Sequence, residues 1–198
     1  MQNWLQSFLT VVLGSGAAFT IAQIVLDFRR HRRKRRDSVE YLALRLAFVL
    51  EGYAIACAEK QSDHSTAVEH DGQAGRLLGS VPEVPALPES DAYQFLDRSI
   101  LNSVLDFPQR VVMADRFAAF WWDTVGDLDS FRSEIGSQTI RMGHLAAVLA
   151  KRVRTTYRIQ GRPLVLGTWD IGKYLEDEVR KLDETKRRNE VEKDQLDP

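Results

Sequence analysis

The stretch YLALRLAFVLEGYAIACA, residues 41–58, is apolar nearly all round and is interrupted only by Arg45 and Glu51. Two structures satisfy such a run. As the central helix of a bundle it is buried on most sides, and its two charges reach the rim or find partners. As a membrane span it is short, and Arg45 and Glu51 would each cost about 2.5 to 3.5 kcal/mol near the bilayer centre. The balance favours the bundle helix, and with it an all-α fold.

Toward the amino terminus, no Pro or Gly occurs between Gly16 and Gly52, so one helix is expected to run unbroken into residues 41–58. It begins in an uncharged stretch. From Trp4 to Leu26 the polar residues are Gln6, Ser7, Thr10, Ser15, Thr20 and Gln23. At 1.5 Å per residue this stretch is about 34 Å long, enough for a hydrocarbon core of about 30 Å. A cleaved signal peptide carries its positive charges before the apolar run. Here none precedes it, and Phe28-Arg29-Arg30 follows. The expectation is a single-pass transmembrane anchor over residues 1–28, with the amino terminus extracytoplasmic and the carboxyl-terminal domain cytoplasmic. Gly14, Ala18 and Ala22 recur every four residues, a face on which a second membrane helix can approach closely. Membrane helices also carry many small residues without pairing.

The next segment, residues 29–37, is densely basic. Arg29, Arg30, Arg32, Arg33, Lys34, Arg35 and Arg36 follow the uncharged run directly, the pattern that keeps a flank in the cytoplasm. Against anionic lipid headgroups each basic residue contributes about 1 kcal/mol, so a bilayer with such headgroups is the first expected partner. Setting these seven aside leaves 20 basic residues against 28 acidic, a net of −8. A nucleic-acid binder spreads Lys and Arg over its folded face to neutralise several phosphates. The remainder here is acidic, so no nucleic acid is expected. A homo-oligomer or another protein remains as the second kind of partner.

Downstream, residues 61–90 lose periodicity and gather Ser, Asp, His, Gly and the spaced Pro82, Pro85 and Pro88, reading as a long loop. A helix follows from Asp91 to Phe107, with Tyr93, Leu96, Ile100, Val104 and Leu105 near one face. Pro108 closes it and suits the first turn of the next helix, which runs to about Val125. Another extends from about Asp129 to Ile159, weakened by Gly136 and Gly143. Leu164-Val165-Leu166 reads as a short linker, and Thr168 as the cap of a last helix. Residues 38–180 thus form a helical domain, giving about four to five bundle helices. The charged tail 181–198 is expected to fray.

Chemistry is sparse. Asp63-His64 with Glu69-His70-Asp71 could attract a divalent metal, but the two histidines are six apart and match no established ligand spacing. Phe117, Phe120, Trp121 and Trp122 could stack a ring-shaped ligand, with core packing the better explanation. Cys57, the one cysteine, sits between alanines as an inert packing residue. His144 has no acidic neighbour in sequence. No catalytic, cofactor or metal residue is assigned, and no cofactor is expected. The reading is a membrane-anchored helical protein with an interaction or scaffold role. The alternatives are a membrane-bound enzyme whose site is assembled between distant helices, and a membrane-disrupting oligomer. The enzyme alternative requires a pocket where charged groups from different helices converge.

Overall fold

The computed structural model describes residues 17–196, and over them the chain is all-α. Four helices carry it: α1 (Ala17–Glu69), α2 (Arg98–Val125), α3 (Leu128–Thr156) and α4 (Ile171–Leu196). A short 3-10 helix (Asp91–Phe95) precedes α2. A two-stranded hairpin, β1 (Val165–Leu166) against β2 (Trp169–Asp170), precedes α4.

The first helix is 53 residues long, about 80 Å at 1.5 Å per residue. Its two parts have different surroundings. Residues 23–38 are exposed, including the apolar Ile24, Val25, Leu26 and Phe28. From Leu42 the face formed by Leu46, Ala47, Leu50, Tyr53, Ala54 and Cys57 is buried. Between Gln23 and Glu69 the helix is long and apolar enough to cross a membrane, yet 56% of the qualifying window lies inside the bundle. Residues 41–58 are therefore the core helix.

Helix α3 is the centre of the bundle and packs on α1, α2 and α4. It runs against α1: Gly136 lies at Gln61, Gly143 at Cys57, and Arg154 reaches Glu51. The two glycines permit this approach. A Cβ on Gly136 would stand 3.0 Å from Gln61 Oε1. Gly136 and Gly143 lie inside the unbroken α3 and let α1 and α3 come together. On the other side of α1, the proline-bearing segment acts as a strap. Tyr53 donates from its hydroxyl to the Pro82 carbonyl at 3.0 Å, and the Val81 N–H donates to Asp115 Oδ1 at 2.9 Å.

Several boundaries differ from expectation. The loop assigned to residues 61–90 begins only after Glu69, because Gln61, His64 and Ala67 continue the packed face of α1. Pro108 lies inside α2 rather than at a boundary. Ile100, Val104, Phe107, Val111, Ala114 and Ala118 are buried along one side of that helix, and their packing on both sides of Pro108 offsets the lost hydrogen bond. The start assigned at Asp91 is only the 3-10 turn, and α2 is capped by Asp97, which accepts from the Ser99 and Ile100 N–H groups. Asp170, not Thr168, caps α4 by accepting from the Lys173 N–H at 2.9 Å. Helix α4 continues past Lys181 to Leu196. Residues 197–198 lie outside the described part, as does Gly14. Ala18 and Ala22 lie one turn apart at the start of α1.

Candidate functional site

Three places offer chemistry, and α1 contributes to each. The first is the basic segment. Arg29, Arg30, Arg32, Arg33, Lys34, Arg35 and Arg36 are all exposed on a continuous helix. Asp27 reaches only Arg30, at 3.9 Å. Arg32 lies over the Phe28 ring at 4.3 Å and Arg35 over the Phe95 ring at 3.8 Å. Stacking on a ring leaves a guanidinium its charge, so the segment is an exposed cationic collar.

The second is a cleft of about 520 Å³ between α3 and the start of α4. Its floor is the buried pair Glu51 and Arg154, whose guanidinium donates from Nε at 2.5 Å and from Nη2 at 2.9 Å. Its Nη1 donates to the Gln160 carbonyl at 2.7 Å. The hydrogen bonds to Glu51 hold the Arg154 pKa above its ordinary range, against the opposing effect of burial. His144, Lys151 and Thr155 of α3, Arg162 of the segment that follows it and Glu176 of α4 add to the polar lining. Charged groups from three helices thus converge, as a site assembled from distant residues requires. Its buried members satisfy one another.

The third is a groove of about 710 Å³ at the other end of the bundle. Its floor includes Ile140 of α3 and Leu182 of α4, and its edge includes Val68 and Leu77. The edge is built firmly. His64, 3% exposed, accepts from the Leu78 N–H at Nδ1 (3.1 Å), which requires Nε2 to carry the proton and donate to the Arg132 carbonyl (3.0 Å). Gly75, at φ +75°, fits against α1 where a Cβ would lie 2.3 Å from the Asp63 carbonyl oxygen. These contacts fold residues 70–78 back onto the last turns of α1. Glu69, Asp71, Asp129 and Glu178 surround the groove, with Arg132 the cation among its lining residues.

The metal candidates do not come together. Both ring nitrogens of His64 are occupied, and among the described residues no group of three His, Cys, Asp or Glu is placed to hold a metal ion. The aromatic cluster is not core either. Phe117, Phe120 and Trp122 are about half exposed, because α2 buries its opposite side against α3. Met113 lies with Phe117 and Phe120 on that outer face and is 63% exposed. Trp121 is half-buried, with its indole nitrogen unpaired. Cys57 is fully buried, and desolvation pushes its thiol up to about 12, outweighing the opposing influence of the neighbouring Tyr53 and Lys60. Sequence reasoning missed Glu51–Arg154, whose members are 103 residues apart, and missed the groove. Comparison with known proteins finds no matching family, curated relative or solved structure.

Proposed function

We propose that this chain is a single-pass membrane protein whose basic collar lies at the cytoplasmic membrane face, and whose helical bundle acts by binding another protein. The observation that carries the reading is the character of α1. One helix passes from exposed apolar side chains at Ile24, Val25, Leu26 and Phe28, through seven exposed basic residues, into the bundle core. Anionic headgroups would neutralise the collar. The interaction role draws support from the outer face of α2, where Met113, Phe117 and Phe120 are exposed together on one side.

Protease treatment of sealed membrane vesicles tests the arrangement. Proteolysis of the bundle from the cytoplasmic side only is the expected result, and a carboxyl terminus protected from that side overturns it. Chemical cross-linking of the anchored protein tests the role. Recovery of neither a partner nor a self-adduct removes it.

A further inference from the structure

We infer that the groove between the end of α1 and the starts of α3 and α4 is the docking site for a cationic amphipathic segment of a partner protein. The inference rests on the protein-binding role proposed above and names the surface and the partner's chemistry.

Shape and charge point the same way. Val68 and Leu77 are 50% and 41% exposed on its edge, an apolar lip that no element among the described residues covers. Around them stand four carboxylates. Lys181 pairs with Glu178 at 2.6 Å and Arg132 with Asp129 at 3.5 Å, whereas Glu69 and Asp71 have no ion-pair partner among the described residues. An occupant that places apolar side chains on the lip and Lys or Arg beside Glu69 and Asp71 satisfies both features. An acidic segment or anionic lipid would meet like charge. The lip is also held in place before binding, since His64 ties Leu78 to α3, so little ordering cost attends association. In the floor, Gln61 Oε1 faces Gly136 without a donor.

The test uses the full chain in nanodiscs of neutral lipid, with empty nanodiscs of the same lipid as the baseline for probe bound to the bilayer. The probe is a short fluorescent Leu/Lys amphipathic helix, compared with a Leu/Glu helix of the same pattern by anisotropy. The Leu/Lys helix is expected to bind, and Glu69→Gln/Asp71→Asn to weaken it about tenfold, the scale of two exposed ion pairs. Leu77→Ser should weaken it independently, with unchanged circular dichroism. Wild-type affinity in both variants, or equal binding of the Leu/Glu helix, overturns the assignment. A cross-linked natural partner that both variants retain would leave the protein-binding role standing and sink the groove. Absence of any cross-linked partner would sink the role itself.

Discussion

Gly143 of α3 lies so close to Cys57 of α1 that a Cβ built on the glycine would stand 2.7 Å from the Cys57 Cβ. Leu175 of α4 would be 3.2 Å away. The three helices meet at this point, and the missing side chain sets their separation.

Gly143→Ala should therefore destabilise the bundle by about 1 to 3 kcal/mol, the usual cost of overpacking a filled core. Gly52, with nothing within 4 Å of its Cβ position, is the contrasting site. There Gly→Ala should stabilise by about 1 kcal/mol through helix propensity alone. Urea unfolding of both variants measures the difference in sign, and a stable Gly143→Ala protein would refute the close-approach reading.

Breaking the Glu51–Arg154 pair from one side should cost more than removing it altogether. Arg154→Met leaves a buried carboxylate uncompensated, at about 3 to 5 kcal/mol. Glu51→Leu/Arg154→Met should recover much of that loss. A double-mutant cycle by chemical denaturation reads the coupling, and additive effects would show that the pair is not energetically linked.

The Cys57 thiol should resist modification by a disulfide reagent at neutral pH while the protein is folded. It is fully buried and its pKa is pushed up to about 12 by desolvation, so thiolate is scarce and access is closed. Addition of denaturant should release reactivity in step with unfolding. Rapid native labelling would mean that the α1–α3 contact opens locally.

Stability should fall in acid partly through two helix caps. Hydrogen bonds from the Ser99 hydroxyl and the Ile100 and Ser99 N–H groups lower the Asp97 pKa. The Ser130 hydroxyl and the Ser130 and Asp129 N–H groups lower that of Asp127. A carboxylate with a depressed folded pKa stabilises above its unfolded value and loses that contribution as pH falls through the folded one. The Tm gap between wild type and Asp97→Ala/Asp127→Ala should thus be full at neutral pH, begin to narrow below about pH 4, and keep narrowing as pH falls through the lower folded values. A gap that persists in acid would assign the effect to something other than the ionised caps.

The core helix was legible because residues 41–58 are apolar on most sides, and its continuity because no helix breaker interrupts it. The next turns were hidden by their own chemistry. Gln61 and His64 occupy packed positions with polar side chains, so hydrophobic periodicity stops where the helix does not. Pro108 misled for a different reason. Its local cost is real, but buried residues on both sides of it outweigh a missing hydrogen bond. Phe117 and Phe120 were read as core from residue type, whereas the packing direction of α2 is a tertiary property. The groove draws on positions from Gln61 to Leu182, and no local spacing can encode such a convergence.

Because α1 is unbroken from the basic collar to Glu69, its two ends are mechanically continuous. Glu51 on this rod forms the floor of one cleft, while Gln61, His64 and Val68 belong to the wall of the groove. Displacing residues 29–36 along the axis by one residue's rise, about 1.5 Å, would carry both walls by the same amount past α3. An axial force applied at the collar would therefore be felt about 50 Å away, at the lip held by His64.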